Sequence, residues 1–233
     1  MKYVNENGRS MVEMLGVLAI IGVLSVGGIA GYSKAMNKYK INKTNDQVSM
    51  LVANIRTLFA SQGNYADLNN GNAIKFGVVP NDMYTSAANG TYASDYALSN
   101  AFKGAVTIKS VPARQSTGTN ASTGKDEYNE DEAFIVAYDG MTEEACVAML
   151  TGDWGSGQAS GLISIAGGKG NVETAHAAAN LVFTDDQNTA LEQGSTLLVA
   201  APGRTQGVPV AVGTAVGVCN GGNSGNAVAW KYY

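Results

Sequence analysis

The chain has 233 residues, 45% of them hydrophobic, which leaves room for one membrane segment and one globular domain of ordinary size. Its formal net charge of -4 at pH 7 argues against nucleic acid as the main partner. Glycine is abundant, at 29 residues, and proline is scarce, at 4, which predicts turn-rich loops.

The first predicted element is a long apolar helix that carries one acid. From Gly8 to Tyr32 the sequence reads GRSMVEMLGVLAIIGVLSVGGIAGY, and Glu13 is the acidic residue in it. As a helix, Met11 to Tyr32 would measure about 33 Å, enough to cross the bilayer core. A carboxylate at a helix centre costs about 2.5–3.5 kcal/mol on insertion scales, and somewhat less near an end, so we expect Glu13 to need a partner.

Three interpretations of this segment compete. A secretory signal would be cleaved near Gly28 to Gly31, but the apolar run is too long for one. A plain membrane anchor explains the length and leaves Glu13 unexplained. In the third interpretation, cleavage after Gly8 leaves the run in the mature protein, and the new amino terminus of one copy pairs with Glu13 of another. Such a pair offsets the cost of burying each charge, which makes Glu13 an assembly residue.

The arrangement of Gly8, Glu13 five residues later and MLGVLAIIGVLSVGGIAGY resembles the class III leader and first helix of type IV pilins and pseudopilins. The resemblance implies cleavage after Gly8 by a prepilin peptidase and methylation of Arg9, the new first residue. It also implies assembly of many copies into a filament, with Glu13 serving both the methylation and the registration of subunits. Arg9 replaces the apolar residue usual at that position. The GVLSVGGIAG segment leans toward the type IVb branch, and the short leader toward type IVa.

The helical pattern continues beyond the apolar segment. Apolar residues recur three and four positions apart at Ile41, Val48, Leu51, Val52, Ile55, Leu58 and Phe59. The pattern predicts one helix from about Met11 to Ser61, ended by Gly63-Asn64, whose second half packs on the rest of the protein. A coiled-coil seam is the alternative, but the sequence sustains no heptad.

The remainder is predicted to mix strands and one short helix. β-branched content and bounding turns predict strands at Ala105–Val111, Ala133–Tyr138, Ser195–Ala201, Val208–Val218 and Ala227–Tyr232. The segment TEEACVAMLTG predicts a helix with Thr142 as its N-cap. The expected fold class is therefore α+β. By resemblance it is the pilin fold, in which a long amino-terminal helix with a protruding hydrophobic half packs on an antiparallel β-sheet head.

Cys146 and Cys219 are the two cysteines, and neither has a neighbouring CxxC or histidine. On an exported domain such a pair most often forms one structural disulfide, the alternative being two unrelated buried thiols. The bridge would join the short helix to the end of a strand, and by resemblance it would delimit a surface-displayed region. Trp154 is expected to be a packing anchor beside it, the alternative being a residue of the filament interface.

We expect four divisions of the chain: 1–8 as leader, 9–32 as the transmembrane and assembly half of the helix, 33–62 as its amphipathic half, and 63–233 as the head, with the disulfide bounding 146–219.

Catalysis is poorly supported by the sequence. His176 is the only histidine, and its neighbours offer neither a nucleophile nor metal ligands at a useful spacing. Gly167-Gly168-Lys169-Gly170 lacks the full phosphate-loop spacing and is predicted to be a turn. The sequence therefore predicts no catalytic residue, no metal and no cofactor.

An acidic run near the middle of the chain is the remaining candidate for a metal site. Its members are Asp126, Glu127, Glu130, Asp131 and Glu132. Several carboxylates could bind calcium, but the run lacks the glycine and spacing of an EF-hand loop, so a solvated acidic turn is favoured.

The sequence favours a structural subunit of a type IV pilus over an enzyme. Its expected partners are other copies of itself, a prepilin peptidase, the inner-membrane assembly machinery and the membrane. Lysines follow the apolar span, against the positive-inside rule, but large domains translocate regardless of such charges, and a disulfide needs an oxidising compartment. We therefore expect a bacterial inner-membrane precursor with its head extracytoplasmic, then an extracellular pilus. The alternatives are a type II secretion pseudopilin and a membrane-anchored extracytoplasmic binding protein or enzyme.

Overall fold

The chain begins with one long helix. The computed structural model describes residues 11–113, 131–155, 160–180, 197–202 and 207–233. Helix α1 covers Met11–Phe59, and its residues divide between two compact units, Met1–Lys40 and Ile41–Tyr233. Gly63 follows with a φ of 71°, a left-handed conformation that glycine adopts without strain. The helix ends two residues before the predicted end at Ser61.

The second unit is built on a six-stranded antiparallel sheet. After α1 the chain forms α2 (Asn70–Lys75), a short 3-10 helix (Asn81–Met83), β1 (Leu98–Ser99), β2 (Ala105–Val111), β3 (Ala133–Met141), α3 (Glu143–Thr151), β4 (Leu162–Lys169), α4 (Val172–Asn180), β5 (Leu197–Ala200), α5 (Val212–Val218) and β6 (Asn226–Tyr232). The strand order is β1-β2-β3-β6-β4-β5, and every neighbouring pair is antiparallel. The expected α+β class is confirmed.

The sheet carries a hydrophobic core on each of its two faces. In β3, Phe134 and Val136 join the core that contains the buried residues of α1, while Ile135 and Ala137 join the core that contains α4. Alternate residues of a strand point to opposite faces, so the two cores lie on opposite sides of the sheet. Because β3 is covered on both sides, its sequence AFIVAY is apolar throughout instead of alternating.

The prediction of a strand at Val208–Val218 is wrong over its whole length, because no residue of this segment belongs to a strand. Val212–Val218 forms helix α5, which contacts α3. A helix places Ala215 and Cys219, four residues apart, on one side, and both are buried. In a strand the same two residues would also share a face, but they would lie about 13 Å apart along the chain instead of about 6 Å. Tertiary packing against α3 therefore overrides the β-branched composition.

The glycine run after Ile165 is also different from its prediction. Gly167, Gly168 and Lys169 belong to β4 and pair with β5 and β6, so they are not a turn. A Cβ on Gly167 would lie 2.9 Å from Leu150 Cδ2 and 3.0 Å from Val228 Cγ2. The strand therefore needs a glycine where α3 packs closely over the sheet.

Candidate assembly site

The amino-terminal part of α1 exposes an apolar surface on all sides. Every residue from Met11 to Ala35 is exposed, including Leu15 at 62% and Val23 at 76%. Among the described residues, α1 is the helix that is long and apolar enough to cross a membrane, judged by length and composition. Such a surface is unfavourable in water, so its environment is lipid or other protein.

Glu13 lies in the first turn of α1 and is exposed. No other acidic residue occurs from Met11 to Asn45. Glu13 is therefore an isolated negative charge on an apolar surface. The other two residues of the predicted assembly region, Gly8 and Arg9, lie outside the described residues.

The second half of α1 is fixed to the sheet by an apolar stripe, as its periodicity predicts. Val48, Leu51 and Ile55 are all fully buried in the core of the second unit. Phe59 closes the stripe, with its ring centroid 5.3 Å from that of Tyr65. Burying one such side chain contributes roughly 1.5–3 kcal/mol, so the stripe is a major part of the stability of this unit.

Polar contacts add to the apolar stripe on the same helix. Lys43 Nζ lies 2.6 Å from an Asp82 carboxylate oxygen, and Gln47 Nε2 donates a 3.1 Å hydrogen bond to the same atom. The hydrogen bond from Lys43 holds the pKa of Asp82 below its ordinary value. Asn54 Nδ2 donates to the Val78 carbonyl oxygen at 3.2 Å.

Arg56 makes the last of these contacts, and its Nη1 donates a 2.6 Å hydrogen bond to the Ser160 carbonyl oxygen. The partners of these α1 side chains are far from the helix in sequence and carry no motif; they are Asp82, Val78 and Ser160. These contacts therefore could not be predicted from the sequence.

The predicted disulfide is present. Cys146 and Cys219 are 73 residues apart and bonded, with their Cα atoms 5.8 Å apart. Cys146 lies on α3, whose first turn is capped by Thr142 Oγ1 accepting from the Ala145 N–H, as predicted. Cys219 follows α5 directly, so the bridge joins two helices and not a helix to a strand. The correction follows from the helical structure of Val212–Val218 described above.

Trp154 packs close to this region. Its indole nitrogen donates a 2.6 Å hydrogen bond to the Met149 carbonyl oxygen near the end of α3. Its ring centroid lies 4.9 Å from that of Trp230, in an edge-on arrangement. Because Trp230 is fully buried in the sheet, Trp154 anchors the loop after α3 to the core.

His176 faces the core on the opposite side of the sheet. Its Nε2 is buried and has no hydrogen-bond partner within the described part of the chain. Burial, together with the positive charges of Lys109 and Lys231, lowers the pKa of His176 from 6.5 to about 4. Burial also lowers the pKa of Lys231 to about 8. His176 is therefore a neutral packing residue of α4 at pH 7.

Of the acidic run proposed as an alternative calcium site, Asp131 and Glu132 are described, and Asp126, Glu127 and Glu130 lie outside the described residues. Asp131 is half-buried, and its carbonyl oxygen accepts a hydrogen bond from the Tyr65 N–H at 2.7 Å. Within the described residues, no three His, Cys, Asp or Glu side chains come close enough to hold one metal ion.

Comparison with known proteins identifies the family. A family model described as PilS N terminal matches residues 38–193, which is more than half of the chain. The chain belongs to the PilS N terminal family. Membership confirms the resemblance of this PilS-family chain to type IV pilins.

Two solved structures are similar to this PilS-family chain. TcpA, a type IV pilin from Vibrio cholerae El Tor biotype, is 18% identical with a TM-score of 0.46, and the match covers 84% of this chain and 99% of TcpA. The type IV b pilin from Salmonella typhi is 15% identical with a TM-score of 0.46, and the match covers 84% of this chain and 98% of that pilin. No curated protein sequence matches the chain significantly.

Proposed function

We propose that this chain is a structural subunit of a type IV pilus, cleaved after Gly8 and assembled through the apolar part of α1. The observation that carries the proposal is the exposed apolar surface from Met11 to Tyr32 with its single acid, Glu13, in a chain of the PilS N terminal family. Lipid covers this surface in the precursor, and neighbouring copies cover it in the filament. The protein performs a structural role and no catalysis.

Charge pairing gives the assembly its registration. Cleavage after Gly8 creates a positive amino terminus on Arg9, four residues before Glu13 in the sequence. In lipid, helices do not gain hydrophobic free energy by associating, so packing and polar contacts decide which arrangement forms. A terminal amine of one copy and Glu13 of the next neutralise each other only when the copies are correctly staggered. The guanidinium of Arg9 competes for the same carboxylate.

The location of the head follows from its disulfide. A bond between Cys146 and Cys219 persists in an oxidising compartment, so the head is extracytoplasmic before assembly and extracellular afterwards. We keep the divisions at 1–8, 9–32, 33–62 and 63–233 as part of the proposal. The partners are further copies of the chain, a prepilin peptidase and the inner-membrane machinery that assembles pili.

A charge-neutral substitution of the assembly acid tests the proposal. Glu13→Gln is expressed beside Glu173→Gln, which removes an exposed acid from the first turn of α4. Both variants are co-expressed with a prepilin peptidase and a type IV assembly system, and filaments are counted by electron microscopy. Glu13→Gln is expected to be cleaved and membrane-inserted yet to lose filaments at least tenfold, while Glu173→Gln assembles normally. Normal filaments from Glu13→Gln would refute the pairing mechanism.

A further inference from the structure

A ring of basic and aromatic side chains follows the apolar segment of α1. We call it the basic collar and define it as Tyr32, Lys34, Lys38, Tyr39 and Lys40. Tyr32 and Tyr39 are 67% and 59% exposed, and Lys34 and Lys38 are exposed as well. Neither Lys34 nor Lys38 forms a hydrogen bond or ion pair with any other described residue. The filament proposal gives these side chains no role.

The collar encircles the helix instead of marking one face. At about 100° per residue, Lys38 lies roughly 40° from Lys34 around the axis, the two tyrosines roughly 140–160° away, and Lys40 roughly 240° away. Along the axis the collar, from Tyr32 to Lys40, spans about 12 Å, and its long lysine side chains can reach a headgroup layer about 5–8 Å thick. A single protein surface contacts one side of a helix, whereas lipid headgroups surround it. The distribution therefore fits lipid better than a second copy of the chain.

Charge in the surrounding sequence points to the same partner. Between Glu13 and Asp46 the chain has four lysines and no acidic residue. The last of these lysines, Lys43, is already paired with Asp82 in the second unit. With the head outside, the collar lies on the side of the membrane where lysine is ordinarily disfavoured. Anionic phosphates in that leaflet would supply a counter-charge to Lys34 and Lys38, and exposed tyrosines commonly lie at headgroup level.

We propose that the basic collar binds anionic phospholipid headgroups of the extracytoplasmic leaflet and so fixes the depth of the subunit in the membrane before assembly. The idea rests on the proposed membrane insertion of α1, and not on leader cleavage or filament formation. Long lysine side chains extend along the helix and carry their ammonium groups to the phosphates, as they do at the ends of other membrane helices.

The test measures which lipid the full chain retains. Purified protein is equilibrated in mixed micelles containing equal phosphatidylglycerol and phosphatidylcholine, and the bound ratio of the two lipids is measured by mass spectrometry. Wild type is expected to retain an excess of phosphatidylglycerol. The double variant Lys34→Gln/Lys38→Gln is expected to lower the bound ratio roughly five- to twentyfold, since each lysine near an anionic surface contributes about a fivefold preference.

Two further variants control for charge and for fold. Lys75→Gln/Lys103→Gln removes the same charge from exposed positions of the second unit and is expected to leave the ratio unchanged. Lys34→Arg/Lys38→Arg keeps the charge and is expected to keep the enrichment. High salt should reduce the enrichment, because exposed charges are screened.

Three results would overturn the proposal. The first is a wild-type ratio equal to that of the micelles, and the second is an equal loss in the Lys75 and Lys103 control. The third is an unchanged ratio in Lys34→Gln/Lys38→Gln together with lost filaments, which would assign the lysines to contacts between copies. Retained enrichment in a chain that keeps its leader and forms no filaments would refute the pilus function and leave the collar proposal standing.

Discussion

Replacing Leu51 with alanine should strongly destabilise the second unit. Leu51 is fully buried in the core between α1 and the sheet, and truncating such a leucine costs about 2–5 kcal/mol, with about 3 kcal/mol expected here. Leu58 lies on the same helix and is 38% exposed, so the same substitution there removes less buried surface and leaves no closed cavity. We expect Leu58→Ala to cost about 1 kcal/mol or less.

Urea titration of the full chain in detergent measures the difference. The two tryptophans, Trp154 and Trp230, both belong to the second unit, so their fluorescence reports the unfolding of that unit. A loss of 3 kcal/mol would also lower the melting temperature by roughly 6–12 °C for a unit of this size. Equal destabilisation by Leu51→Ala and Leu58→Ala would refute the packing of α1 described above.

Three further predictions use the same titration. Replacing Cys146 and Cys219 together with serine should cost about 4 kcal/mol by the chain-entropy model, and an unchanged midpoint would show that the bridge does not constrain the unfolded chain. Because the pKa of His176 is lowered to about 4, its contribution to stability is present above about pH 6.5 and is lost as the pH falls toward 4. Acidification from pH 7 to pH 4 should therefore destabilise the wild type more than His176→Gln, by up to about 3 kcal/mol. Parallel pH profiles of the two proteins would contradict this. Gly167→Ala should lower the free energy of unfolding by about 1–3 kcal/mol through overpacking. Gly213→Ala on α5, where a Cβ meets open space, should be neutral or stabilising. Equal effects of the two substitutions would contradict the close packing of Leu150 and Val228 against Gly167 in β4.

Local sequence signals predicted the elements in which local chemistry and tertiary packing agree. The stripe of α1 has a period near 3.6, and the helix continues to Phe59, two residues before its predicted end. Thr142 caps α3 as its residue type favours, and Ala105–Val111 forms β2 with the predicted bounds. In each case one short segment contains the whole signal.

Elements that depend on distant contacts could not be predicted in the same way. Val212–Val218 has strand-like composition, but the segment forms a helix that packs against α3, a distant element, and buries Ala215 and Cys219. The predicted turn at Gly167 is a strand because it pairs with β5 on one side and β6 on the other, and neither strand is close to it in sequence. β-structure is especially sensitive to such context.

The residues of the candidate assembly site also divide into those predicted by a local motif and those that depend on distant contacts. Gly8, Glu13 and the apolar run form a contiguous motif, so the sequence alone could propose an assembly role for them. The contacts that hold α1 on the sheet, such as Lys43 with Asp82 and Arg56 with Ser160, join segments far apart in the chain. Pairings of this kind emerge only when the fold brings the segments together.

Mass spectrometry of the mature amino terminus tests the central claim most directly. The chain is produced with a prepilin peptidase, recovered from the membrane, and its first peptide is sequenced with any modification. The account predicts a mature chain that begins at Arg9, methylated on its amino group, and retains Glu13 and the whole apolar segment. A chain that still begins at Met1, or one cleaved near Gly31, would contradict it.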